Sequence, residues 1–279
     1  MSSLVRIVVS IGAAFVSLCT PAGAQAQDEP AQPLWELGVF GVGVSQQAYP
    51  GSSAQVERLL MLPYGVYRGR FLRAERGSAG IRALKAGDVE LDIGVASAFG
   101  SRSNNVPARA GMPDLGLLVE IGPRLKWTLG AGPAGGRWQA EFPFRGVFDL
   151  DESLAHKGMA FEPTLRFERR AQRGWHYHAS AGAVMGDRRL AETFYGVPAA
   201  YATPERSAYA ARGGLIAWRL GATVTHSITP ELRAFTFLRV DTVAGASNRD
   251  SPLVDRRTGA SIGFGFTYTL LRSTARATE

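Results

Sequence analysis

The sequence predicts an all-β fold: a closed antiparallel transmembrane β-barrel of about twelve strands, or ten if one short pair is discounted. Three observations carry that expectation. Apolar residues recur at every second position over segments as long as a tilted membrane-crossing strand, about 9–11 residues. The breaks between segments alternate between tight turns and long loops. Four of the five tryptophans fall at one end of the resulting layout.

The alternation is clearest in "DLGLLVEIGPRLKWTLG", Asp114 to Gly130. Leu115, Leu117, Val119, Ile121, Leu125, Trp127 and Leu129 share one face; Glu120, Arg124 and Lys126 lie on the other, and Leu118 is out of step. "DVELDIGVASAFG" sets Val89, Leu91, Ile93, Val95 and Phe99 against Glu90 and Asp92. "RWQAEFPFRGVFDL" sets Trp138, Phe142, Phe144 and Phe148 against Arg137, Glu141, Arg145 and Asp149. Met159, Phe161, Leu165 and Phe167 oppose Glu162, Arg166, Glu168 and Arg170. Ile262, Phe264, Phe266, Tyr268 and Leu270 alternate with Gly263, Gly265, Thr267 and Thr269. Period two marks strands with one face against an apolar medium. The expected strands are 35–45, 56–67, 70–76, 79–85, 88–100, 114–131, 136–149, 158–170, 174–186, 211–226, 231–241 and 258–271. Pro123 cannot donate to a ladder and implies a bulge or kink.

Tight turns fall at Arg68-Gly69, Ala86-Gly87, Gly132–Gly136, Ala171–Gly174 and Ser227–Pro230, with a very short one at Gly77-Ser78. Long loops fall at 46–55, 101–113, 150–157, 187–210 and 242–257. Short turns on one side and long loops on the other are the layout of a membrane barrel. A soluble sandwich also alternates, but its strands run about 5–6 residues. With the N-terminus in the periplasm, Trp35, Trp138 and Trp175 open upward strands and Trp127 lies near the end of a downward one, with Tyr268 beside them. That is an interfacial aromatic girdle; only Trp218 falls elsewhere.

The N-terminus reads as a secretory signal over 1–26, with the barrel over 27–279. Arg6 precedes the apolar run Ile7–Leu18, and "AGAQAQ" offers small-x-small cleavage sites. Cys19 falls inside the signal, where Leu18 before it does not suit a lipobox. The mature chain then has no cysteine, which excludes disulfides, thiol nucleophiles and cysteine metal sites. No later stretch is long and apolar enough for a transmembrane helix. The net charge of +7 suits anionic surfaces such as lipid head groups, and no Lys/Arg block resembles a nucleic-acid arm.

Candidate chemistry is sparse. The lumen-facing charges mix signs and can pair across the wall. Wide aqueous channels need about 16 strands, so a narrow or plugged interior is expected, with small-solute conduction as the alternative. "HYHAS" contains His178 and Ser180, followed by Glu192. This is similar to the lipid A deacylase pattern, with Ser180 as nucleophile, His178 as base and Glu192 as orienter. Period two, however, turns His178 and Ser180 into the lumen with His176, and Glu192 falls in a loop. His176 and His178 share a face and could hold a metal together, but His156 and His226 add no cluster. The expectation is no catalytic, cofactor-binding or metal residue. "AYPGSS" reads as a turn, with Pro50 and Gly51 at its centre. The 187–210 loop, with Phe194, Tyr195, Tyr201 and Tyr209, either binds a partner or folds inward as a plug.

Several segments together resemble the MltA-interacting protein (MipA/OmpV) family of Gram-negative outer-membrane proteins. They are "WELGVFGVGVSQQAYPGSS" with Tyr49–Ser52, "LPYGVYRGRFL" at 62–72, "GMPDLGLLVEIGPRL" at 111–125, "FYGV" at 194–197 followed by "SAYAARGGL", and "SPLV" at 251–254. The resemblance implies an outer-membrane barrel that is not an enzyme and takes no cofactor. Its implied role is a structural scaffold between the outer membrane with its lipopolysaccharide and a periplasmic murein transglycosylase or synthase. The pattern departs at the C-terminus, where "LLRSTARATE" replaces the expected terminal aromatic.

Overall fold

The computed structural model describes residues 33–68, 72–75, 78–98 and 105–275. The segment read as a signal, with Cys19, the turn glycines Gly69 and Gly77, and Phe99 lie outside them. Among the described residues one antiparallel sheet holds thirteen strands. They are β1 (Trp35–Gln47), β2 (Gln55–Arg68), β3 (Leu72–Glu75), β4 (Ser78–Ala86), β5 (Val89–Ala98), β6 (Leu118–Ala131), β7 (Arg137–Asp149), β8 (Ala155–Phe161), β9 (Thr164–Arg170), β10 (Trp175–Gly186), β11 (Gly214–Ser227), β12 (Leu232–Thr242) and β13 (Thr258–Arg272). One α-helix, α1 (Arg188–Tyr195), lies between β10 and β11.

Apart from β8 and β9, each strand pairs with its sequence neighbour, and β13 pairs with β1 from Glu36↔Arg272 to Ser45↔Ile262. β8 and β9 both lie between β7 and β10. Phe144↔Phe161 and Glu141↔Thr164 keep a single register along β7, as do Met185↔Phe161 and Gly182↔Thr164 along β10. The two are therefore collinear, and the ladder lapses between them at Glu162-Pro163, where Pro163 has no N–H to donate.

Two expectations need correction. No register shift marks Pro123: Ile93↔Pro123 sits in an unbroken β5–β6 ladder, and on the β7 side Ile121↔Gly146 and Arg124↔Pro143 share one register. The proline costs only the local pairing, and the shift comes between Thr128 and Gly130. The strand expected from residue 114 begins at Leu118. Leu115 and Leu118 are buried, because the chain before β6 folds over the mouth instead of extending the wall.

The molecule is inverted relative to a soluble protein. Leu59 (85%), Phe264 (70%), Leu270 (61%) and Leu220 (59%) are exposed on the outside, whereas Asp92, Arg124, Asp149 and Asp241 are buried inside. Apolar atoms on the outer face suit a hydrocarbon surround, where they cost nothing. Trp35 pairs with Tyr67, Gly130 with Trp138 and Trp175 with His226 at the tight-turn end; Trp218 pairs with Thr242 at the other.

The lumen has two unlike sectors. Charged residues line it from β5 to β11. On β12, β13 and β1 the middle of the lumen is apolar: Phe235 and Phe237 lie over Gly265 and Gly263, and Phe40 stacks on Phe235 at 5.7 Å, with Arg239 and Asp241 of β12 nearer the cap. A side chain on Gly263 would collide with the Phe237 ring. Gly263→Val is expected to destabilise the barrel by about 1–3 kcal/mol through overpacking. A lowered temperature for loss of the compact band on heated gels would register it.

Candidate functional site

The long loops converge on one end and build a cap with its own core. Tyr49, Val106, Met112, Leu115, Leu190, Ala191, Tyr195, Val197, Val243 and Leu253 come from the loops and α1; Val56, Leu118, Val147, Ala160, Ile216 and Ala217 come from the inner face of the strands beneath. The 187–210 loop thus folds inward: Tyr195 is buried, and Phe194, Tyr201 and Tyr209 pack against the core. Asp187 caps α1 by accepting from the Leu190 N–H at 2.8 Å. The helix start rests over Gly158 (φ +125°), where a side chain would strike Leu190.

Buried and half-buried side chains tie four of the loops to one another by hydrogen bonds. Tyr49 Oη donates to the Leu253 carbonyl at 2.7 Å, Tyr195 Oη to that of Pro50 at 2.8 Å, and Ser251 Oγ to that of Tyr195 at 2.8 Å. The two tyrosine rings meet edge to face at 6.1 Å. "AYPGSS" is the expected turn: the Ser52 N–H donates to the Tyr49 carbonyl at 3.0 Å, and Gly51 takes φ +96° against Val243 and Val254. Arg109, in a single 3-10 turn over Pro107–Arg109, donates to the Thr193 and Phe194 carbonyls at the end of α1, at 3.3 and 3.4 Å. A cation suits that negative helix terminus. Arg206 reaches the Ala108 and Ala110 carbonyls at 3.0 and 2.9 Å. Asn248 exchanges two bonds with the Arg212 backbone, at 2.8 and 2.7 Å.

Burial pushes the Tyr49 hydroxyl up to about 12, partly offset by the Arg109 charge. Burial raises Tyr195 further, with Tyr49 adding to it, and lowers Arg109.

Below the cap the lumen charges neutralise one another across strands. Arg124 grips Asp92 with Nε at 3.0 Å and Nη2 at 2.7 Å, and Lys126 approaches the same carboxylate at 2.8 Å. Arg145 pairs with Glu120 at 3.1 Å, Arg166 with Glu141 at 3.0 Å, and Arg137 with Glu168. Arg219 bridges Asp241 at 2.8 Å and Glu162 at 2.6 Å, with Gly182 beside it in the ladder leaving room to cross β10. Sequence reasoning named most of these groups but missed Arg219, Arg239 and Asp241. Their signal was the same alternation, Arg219 against Trp218 and Leu220.

The esterase candidates are not brought together. His178 lies in the wall with its ring 3.5 Å from Arg166, Ser180 lies two positions on in β10 against Gly221, and Glu192 sits in α1 beside Arg188. His176 and His178 line a pocket of about 200 Å³ with Arg166, Arg170, Thr223 and Thr225. Among the described residues no three metal-ligating side chains converge there or elsewhere.

The model of the family described as MltA-interacting protein MipA matches residues 37–270. The chain belongs to this family. It is an outer-membrane protein of the β-barrel kind. Of the segments that carry the family resemblance, Tyr49–Ser52, 111–117, 194–197, 207–213 and 251–254 lie in the cap or its loops, while 35–47, 62–68 and 118–125 lie in β1, β2 and β6. No curated protein matches the chain. Among solved structures it is similar to the NanC porin (10% identity, 84% of this chain and 100% of that one, TM-score 0.39). A bacterial polysaccharide outer membrane secretin matches at 11% identity over 86% and 99%, TM-score 0.38. An outer membrane channel from Pseudomonas putida F1 matches at 9% identity over 90% and 100%, TM-score 0.36.

Two outcomes follow from the cap geometry. Tyr195→Phe leaves the half-buried Pro50 carbonyl without its donor and is expected to cost about 0.5–1.5 kcal/mol. Faster proteolytic clipping within 187–213, with the barrel intact, would show it. The second concerns pH. The Tyr49 hydroxyl is raised from 10.0 to about 12 in the folded cap, so its contribution to stability is complete below pH 10 and is lost as pH rises towards 12. Near-ultraviolet circular dichroism is expected to hold steady to pH 10 and then to lose the cap signal; in Tyr49→Phe the loss shifts to higher pH.

Proposed function

We propose that the protein is a closed barrel of twelve transmembrane arms with a structural, scaffolding role. The β13–β1 pairing and the collinearity of β8 and β9 support closure and that count. Outer-membrane lipid, including lipopolysaccharide, surrounds its apolar belt. A periplasmic murein transglycosylase or synthase docks at the tight-turn end, a reading supported by the family's description as MltA-interacting. The observation that carries a structural role over transport is the cap: the chain's own loops fill the wide-loop mouth around a buried Tyr49–Tyr195 core while the lumen charges pair with each other. This reading involves no catalytic step.

The test has two arms. Native membranes are expected to yield the protein in the outer-membrane fraction, with a faster-migrating band in unboiled samples. Chemical crosslinking in those membranes is expected to join it to a murein transglycosylase. In planar bilayers the intact protein is expected to give no steady conductance, and a chain lacking residues 188–212 to give discrete openings. Conductance by the intact chain would favour the channel reading instead.

A further inference from the structure

We propose that the outer rim above β10, β11 and β12 is a phosphate-binding surface. Arg188, Arg212 and Arg249 hold the sugar phosphates of a lipopolysaccharide there, while Trp218 and the wall beneath it meet the acyl chains. This deepens, and rests on, the transmembrane reading above.

The lower part of the surface is apolar. Trp218 and Leu220 of β11, Met185 of β10 and Leu238 of β12 are exposed on the outer face. Trp218 lies beside Ala183 and opposite Thr242, the last residue of β12. The indole therefore marks the upper boundary of the apolar belt, at the level of lipid head groups. The β10–β11 ladder runs on past it to Gly186↔Gly214. Those four residues of tilted strand raise the rim about 10 Å above the indole.

The upper part is basic. Arg188 opens α1, Arg212 precedes β11, and Arg249 lies in the loop between β12 and β13. The three segments abut. A side chain on Gly213 would come within 2.9 Å of the Arg188 backbone nitrogen, and one on Gly214 would strike Ser247 Oγ. Buried Asn248 clamps the Arg212 backbone from both sides, accepting from its N–H at 2.8 Å and donating to its carbonyl at 2.7 Å. The arginines are thus anchored at their bases, and their side chains project outward: Arg188 is 75% and Arg249 57% exposed.

Little on this rim neutralises them. The Arg212 guanidinium has no partner among the described residues. Arg188 and Arg249 make long contacts through Nε, at 3.7 Å to Glu192 and 3.6 Å to Asp250. Exposed pairs of this kind hold little, and they leave the Nη groups, which grip phosphate oxygens in pairs. The Asp187 carboxylate is turned to the Leu190 N–H as the helix cap. The rim above β7 and β8 has the opposite sign, with Asp149, Asp151 and Glu152 against Lys157. Positive charge is therefore local to the side that carries Trp218. Height selects the ligand. A phospholipid phosphate lies level with an interfacial indole, below these arginines, whereas phosphates borne on sugars stand above the acyl boundary.

Native mass spectrometry from mixed detergent micelles tests the surface, with bis-phosphorylated lipid A, the same lipid A stripped of phosphate, and phosphatidylglycerol as probes. The intact protein is expected to retain bis-phosphorylated lipid A over both others. Arg188→Gln/Arg212→Gln/Arg249→Gln is expected to weaken that retention about tenfold. Arg173→Asn, an exposed charge at the tight-turn end, is expected to leave it unchanged. Equal retention of phosphate-free lipid A or of phosphatidylglycerol would overturn the proposal. So would equal losses in the triple variant and in Arg173→Asn. If the triple variant lacks the heat-dependent gel shift, Arg212→Gln alone takes its place, with about a threefold loss expected and no loss overturning the proposal. An intact protein that itself lacks the gel shift would overturn the transmembrane reading and the surface with it.

Discussion

Backbone hydrogen bonding in a medium without water is the constraint on which the rest of this structure depends. A strand in hydrocarbon must find partners for its N–H and C=O groups inside the protein. The β13–β1 ladder meets that need where chain ends would otherwise leave two edges. Once the wall is so arranged, period-two alternation has two different environments to separate, and leucine outside and carboxylate inside become the stable choice. The lumen ion pairs follow: a buried charge is tolerable when it is paired and hydrogen-bonded, as Asp92 is by Arg124 and Lys126.

The cap answers the complementary problem. Its loops carry backbone that cannot join the sheet, so they fold around an ordinary hydrophobic core and close their own polar groups with tyrosine, serine, asparagine and arginine side chains. The family-like segments run through both this cap and the strands β1, β2 and β6. Barrel strands tolerate any residues of the right alternating polarity, whereas the Tyr49–Leu253 and Tyr195–Pro50 bonds demand particular groups at particular places.

The apolar lumen sector and the short β3–β4 hairpin make the wall unequal around its circumference. Ion pairs stiffen one side, from β5 to β11. On the other, Phe40, Phe235 and Phe237 pack over glycines instead.

Sequence by itself determined the all-β class, the positions of nearly every strand and the inward charges from Glu90 to Glu168, because period-two alternation is local and each strand carries its own copy of it. It also made the 70–85 pair visibly too short. It misplaced the bulge at Pro123 and extended β6 back to residue 114, since the cost of a missing donor and the point where a chain leaves the wall depend on neighbours. Over 59–62 of β2 and 234–238 of β12, apolar residues fall on both faces, so no local alternation assigns Leu60, Leu62, Phe235 and Phe237 to the lumen. Only the tertiary structure decided that the 187–210 loop turns inward, that Arg219 spans to Glu162, and that Tyr49, Tyr195 and Leu253 meet. Those contacts join residues up to 204 positions apart, a separation at which no local pattern survives.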